Sequence, residues 1–197
     1  MLRTVTIFSF AVLTTLTGLA ATAAAQTGTI TGKVEATPPK YLPDTVVYLK
    51  DVPGNYPPKT LKEDQKGMKF EPHILVATKG DTVNFLNHDN VAHNVYSPDN
   101  EGFNLGTFKQ NETRSYKFDS TGQYTLLCSI HPEMLGYVFV GQNPYAAAVD
   151  AKGNYTIKDV PPGTYKLAVW NPQLKAPEKS VTVAAGGKVT ENIAIKR

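Results

Sequence analysis

The chain holds one cysteine, three methionines, four histidines and one tryptophan in 197 residues. A single cysteine excludes a disulfide framework within the chain, and it excludes a structural zinc site built from several thiolates. Four histidines, His73, His88, His93 and His131, are too few for the coupled cluster of a multicopper oxidase. Charge of one sign is also lacking. The net charge is +3 at neutral pH and like charges run for no more than a residue or two, so the electrostatic footprint of a nucleic-acid binder is missing. After the first 25 residues no apolar run is long enough to span a bilayer.

Those first 25 residues read as a targeting segment. Arg3 supplies a positive start, Val5 to Ala20 an apolar stretch diluted by threonines, and Ala23-Ala24-Ala25 a small-residue cleavage site before Gln26. An uncleaved anchor is the competing reading, but the stretch is short and threonine-rich for a span. A signal peptide over residues 1–25 therefore implies export, periplasmic or otherwise, with no membrane span after cleavage. In an oxidising compartment a lone cysteine must be buried, bonded to another chain, or occupied by a ligand.

The remainder reads as all-β. Short stretches of alternating polarity, rich in β-branched and aromatic residues, recur between Gly, Pro, Asn and Asp. Thr29 to Glu35, Val46 to Leu49, Ile74 to Thr78, Thr82 to Leu86, Gln123 to Cys128, Tyr137 to Val140 and Tyr165 to Trp170 are examples. Helical periodicity is sustained nowhere, and 14 prolines with 15 glycines punctuate the chain at the spacing of a sandwich or barrel. A Gly-x-Tyr triplet recurs at Gly122, Gly153 and Gly163, which reads as shared strand-entry chemistry rather than a solenoid.

The chemistry concentrates in Cys128-Ser129-Ile130-His131-Pro132-Glu133-Met134. A thiolate, an imidazole and a thioether at i, i+3 and i+6 follow the end of a strand. Copper is the metal both of whose oxidation states are served by that set, since soft sulfur suits Cu(I) and imidazole suits Cu(II). A second imidazole must come from elsewhere. His93 is the natural source, and His88 competes with it from the polar turn Asn87-His88-Asp89-Asn90. Taken singly, Cys128 could be a small buried hydrophobe, Met134 core filling and His131 a surface residue. Together, two His, one Cys and a weak axial Met are the set of a blue-copper electron-transfer centre.

Residues 68 to 141 resemble the cupredoxins, and within them the amicyanin and plastocyanin group. The resemblance rests on Met68 to Glu71, Gly80-Asp81-Thr82-Val83, the Asn87 to Val95 stretch, Gly122-Gln123-Tyr124 leading into Cys128, and Gly136-Tyr137-Val138. The two residues between His131 and Met134 are amicyanin-like. By this resemblance His93, Cys128, His131 and Met134 carry over as ligands of one copper ion cycling between Cu(I) and Cu(II). Asn94 carries over as the residue that helps hold the two ligand loops and places a backbone N–H near the thiolate. The resemblance also implies a Greek-key sandwich. It further implies redox protein partners docking near His131, on an apolar patch for which Pro132, Leu135, Val91 and Ala92 are near in sequence. His73 departs from the pattern. It reads as a solvated strand-edge residue, the alternative being an approach to the copper loop.

The flanks resemble a carboxypeptidase regulatory-like, transthyretin-like sandwich, on Gly28 to Val34, Val46 to Leu49, Asp150 to Ile157 and Val160 to Leu167. The expected organisation is a copper domain over 66–141 inserted in, or packed on, a second β-sandwich made from 26–65 plus 142–197. One enlarged sandwich using Val46 to Leu49 is the other arrangement. The expected function is an exported one-electron carrier and not an enzyme. The alternatives are a non-redox copper protein for storage, delivery or sensing, or an adhesion or carbohydrate-binding module with an accessory copper site. Delivery is disfavoured because no methionine-rich tract exists. Hydrolysis is disfavoured because Ser129 and His131 lack an orienting third group.

Overall fold

The computed structural model describes residues 26–197, so the expected signal peptide lies outside the described residues. The strands are β1 (Gly28–Thr37), β2 (Val46–Lys50), β3 (Thr60–Gln65), β4 (Phe70–Glu71), β5 (Ile74–Thr78), β6 (Thr82–Asn87), β7 (His93–Ser97), β8 (Phe103–Phe108) and β9 (Thr113–Lys117). They continue with β10 (Gly122–Leu127), β11 (Leu135–Gly141), β12 (Ala146–Ala148), β13 (Asn154–Val160), β14 (Gly163–Trp170), β15 (Lys179–Val183), β16 (Lys188–Thr190) and β17 (Ile193–Lys196). One short 3₁₀ turn spans Pro39–Asp44. The all-β reading therefore holds.

Four sheets form. Sheets β5-β11-β10-β7-β8 and β4-β3-β6-β9 draw only on residues between 60 and 141. Sheets β13-β1-β16, with β17 also on β1, and β12-β2-β14-β15 draw only on residues before 51 and after 145. Each pair of sheets encloses its own core. Val83, Phe85, Val95, Phe118, Tyr124, Leu126 and Val138 fill the first, and Ile30, Val47, Leu49, Ile157, Leu167 and Ile195 the second. Thr60–Gln65, expected with the flanks, instead pairs in parallel with Thr82–Asn87. The two sheets of residues 60–141 thus begin before residue 66. The stretch Thr-Leu-Lys-Glu-Asp-Gln conceals this, since its inward Glu63 and Gln65 are polar although both are buried. Val46 to Leu49 pairs with β12 and β14, not with any strand of residues 60–141.

A third apolar cluster joins the two pairs of sheets: Val46, Ile74, Tyr137 and Phe139, with Tyr48 and Trp170 against them. Strand β11 explains it. Its run Gly-Tyr-Val-Phe-Val is buried on both faces, which is why it reads as continuously apolar rather than alternating. Val138 and Val140 point into the first core, while Tyr137 and Phe139 meet Tyr48 and Trp170 of the neighbouring sheet. Gly136 is required where β11 crosses Phe70, because a Cβ there would lie 2.7 Å from the Phe70 Cβ. His73 sits on this seam. Its Nε2 is 2.7 Å from Asp44 Oδ1 and its ring stands edge-on to Tyr137, so it is a strand-edge residue tied to the flank.

Candidate metal centre

Three elements deliver the site. Strand β7 starts at His93, strand β10 ends one residue before Cys128, and the loop from Cys128 to Met134 returns the chain to β11. The β10 and β11 strands are paired along their whole length, from Gly122 with Val140 to Leu127 with Leu135. That pairing fixes where the loop leaves and re-enters. The Met134 N–H donates to the His131 carbonyl at 3.0 Å and closes the loop as a tight turn.

His93, Cys128 and His131 converge, with one donor atom from each lying within 4.8 Å of the others; this is the sole such group of three among the described residues. His93 and Cys128 are buried and His131 is half-buried. The two Nδ1 atoms are 3.0 Å apart, and Cys128 Sγ is 3.8 Å from His131 Nδ1. Met134, 1% exposed, belongs to the same core cluster as Cys128. His88, the competing imidazole, points elsewhere, with Nδ1 2.6 Å from Asp64 and the side chain largely exposed.

The donor set fits a copper ion. Asp89 Oδ2 accepts from His93 Nε2 at 2.9 Å. With its proton held there, His93 presents a bare Nδ1 lone pair to His131 Nδ1. The separations among His93 Nδ1, His131 Nδ1 and Cys128 Sγ are close to those of donors each about 2 Å from a shared ion. Asp89 is fixed in turn. It accepts from the Gly67 and Met68 N–H groups at 2.6 and 2.9 Å. Burial raises the pKa of its carboxyl, but those N–H groups and the His93 ring outweigh burial and hold it below the ordinary carboxylate range.

Asn94 lies between the two ligand loops. Its backbone N–H points at Cys128 Sγ, 3.4 Å away, and its Oδ1 accepts from the Ser129 N–H at 3.3 Å. Hydrogen bonds of this kind orient metal ligands and tune the metal. Two features were not read from sequence. Asp89 could have been found from its place four residues before His93 beside a loop of polar residues. Ile130, inside the ligand loop, joins Val91 and Leu135 as an exposed large apolar residue, at 45, 41 and 41%. These three are the described residues of that kind, and all lie on loops or strand ends next to the donors.

Residues 59–141 match the family of copper binding proteins, plastocyanin/azurin family, and residues 136–191 match polysaccharide lyase family 4, domain II. A putative pseudoazurin of Rhizobium leguminosarum bv. viciae is 39% identical over 84 residues, covering 39% of this chain and 53% of that protein. Amicyanin-alpha of Methylorubrum extorquens is 31% identical over 77 residues, covering 37% of this chain and 65% of that protein. The chain thus spans about half to two thirds of the length of these relatives. Among solved structures, a Cu(I) variant of amicyanin is 28% identical with a TM-score of 0.39, over 41% of this chain and 81% of that one. A purple cupredoxin from Nitrosopumilus maritimus is 26% identical with a TM-score of 0.38, over 41% and 99%. With the convergent His-Cys-His donors and the family match over the same two sheets, residues 59–141 form a cupredoxin-like domain whose donor set fits a single copper ion.

Proposed function

We propose that this chain is an exported one-electron carrier whose copper is held by His93, Cys128, His131 and Met134. The observation that carries the reading is the convergence of two Nδ1 atoms and one sulfur between β7 and the β10–β11 loop. Copper supplies a one-electron couple when bound, and thiolate with imidazole serves both of its oxidation states. The chain's own residues do the rest. Asp89 and Asn94 hold the donors from behind, so the donors need not move between states. Burial of Cys128 and His93 keeps water from the thiolate.

His131 is the ligand nearest the surface. Val91, Ile130 and Leu135 stand around that end of the domain, so an electron leaving along the His131 ring meets an apolar face onto which a redox protein can dock. Pseudoazurin and amicyanin, as cupredoxins, support the carrier role over storage or delivery. No helix of the described residues is long and apolar enough to cross a membrane. The residue 1–25 segment supports export to a periplasm or its equivalent.

The separate cores and sheets support reading residues 26–59 and 142–197 as one split β-sandwich carrying the copper domain as an insertion. An absorption spectrum with Cu(II) tests the centre. An intense visible band from thiolate-to-copper charge transfer, lost in Cys128→Ser, is expected; a colourless protein binding one zinc in place of copper overturns the redox assignment.

A further inference from the structure

Asn94 touches the Cys128 sulfur through its backbone and Ser129 through its side chain, so whatever fixes the Asn94 amide fixes the sulfur's hydrogen bond. The side chain has two ends. Its Oδ1 must face Ser129, since the Ser129 N–H can only donate. Its Nδ2 therefore faces the other way, and there it donates to Asn104 Oδ1 at 2.9 Å. Asn104 is oriented by the same logic. The Gly106 N–H donates to Asn104 Oδ1 at 2.9 Å, so that oxygen cannot be exchanged for its nitrogen. Two backbone N–H groups, of Gly106 and of Ser129, thereby leave one orientation for both amides.

The strand geometry brings Asn104 into place. Between β7 and β8 the register runs from Asn94 opposite Thr107 to Tyr96 opposite Asn104, which puts one extra residue on β8. Gly106 lies in this bulge with φ +70°, a backbone conformation that glycine adopts without strain. The bulge turns the Gly106 N–H away from the ladder and onto the Asn104 side chain. Asn104 itself is exposed and is not part of the core, so it is free of packing duties.

We propose that Asn104 is the positioning residue of the centre, holding the Asn94 amide so that Cys128 and Ser129 stay hydrogen-bonded to it. A disturbance on the outer face of β8 is then felt at the sulfur without touching a ligand. The consequence for the metal rests on the copper reading above; the consequence for the hydrogen bonds does not.

The test uses the full chain with Asn104→Ala, Asn104→Leu and Asn104→Asp, and Thr107→Ala as an exposed control on the same strand. In the metal-free chain, amide hydrogen exchange at Asn94 and Ser129 should quicken about fivefold in the Ala and Leu variants, as for one lost hydrogen bond. Asp, which still accepts from both partners, should restore it. In the copper-loaded chain the Ala and Leu variants should lower the midpoint potential and shift the thiolate charge-transfer band, with melting temperature held. Wild-type exchange and potential in both Asn104→Ala and Asn104→Leu overturn the proposal. So does an equal effect of Thr107→Ala, which would mean general loosening of β8. If the unmutated chain develops no charge-transfer band with Cu(II), the copper reading falls, and exchange in the metal-free chain still decides the role of Asn104.

Discussion

Asp89 Oδ2 lies 2.9 Å from His93 Nε2, on the side of the ring away from Cys128 and His131. A carboxylate behind a ligand imidazole fixes its tautomer and raises its basicity. Asp89→Ala should weaken copper binding about 10- to 100-fold, measured by competition with a chelator. Asp89→Asn should fall between, because its oxygen still accepts from Nε2 without the charge. Unaltered affinity in both variants would mean that the Asp89 carboxylate does not support His93 as a ligand.

Glu63 is fully buried, and neither of its carboxylate oxygens has a hydrogen-bond partner among the described residues. Burial, reinforced by the nearby Asp64 and Glu71 carboxylates, pushes its pKa up to about 9 from an ordinary 4.5. Between those values the folded chain keeps a proton that the unfolded chain releases. Its contribution is therefore fully present below about pH 4.5 and is lost as pH climbs toward 9. Glu63→Gln should flatten that decline and stabilise the chain at pH 8 by roughly 2–4 kcal/mol, with little effect at pH 4. Urea unfolding at the two pH values measures the difference.

Ile130 is the most exposed of the three apolar residues around the centre. Ile130→Ser should leave the copper spectrum unchanged and slow electron exchange with a partner protein about tenfold, as for about 1.4 kcal/mol of lost apolar contact. Stopped-flow kinetics against the reduced partner checks it. An unchanged rate would place docking on another face.

Phe139 is 6% exposed and packs on Tyr48 and Trp170 across the seam between the two pairs of sheets. Phe139→Ala should cost about 3–5 kcal/mol. Because the seam is one cluster and each side keeps its own core, calorimetry should also resolve two transitions in the variant and one in the unmutated chain. A single transition, merely lowered, would mean that the two cores unfold as a unit.

Much of the centre was legible in the chain order. Cys128, His131 and Met134 are close in sequence, so a seven-residue loop already brings a thiolate, an imidazole and a thioether together. The all-β class followed from alternation, and Asn94 from the resemblance to the cupredoxins. Less legible were elements whose burial contradicts their composition. Strand β3 hides because its inward residues are Glu63 and Gln65. Strand β8 hides because its bulge at Gly106 breaks the period of two.

The candidate donors of one loop and the class of fold can be read from the chain alone, because spacing within a few residues and strand periodicity are local properties. The remainder depends on tertiary contacts. Strand pairing brings the His93 ring, and not that of His88, beside Cys128 and His131, and leaves His88 with Asp64. Tertiary contacts also tie His73 to Asp44 at the seam, and they run the support of Cys128 through Asn94 to Asn104. Each of these joins residues from different strands or turns. Their separation in space depends on sheet register, a property of the whole domain rather than of any stretch of chain.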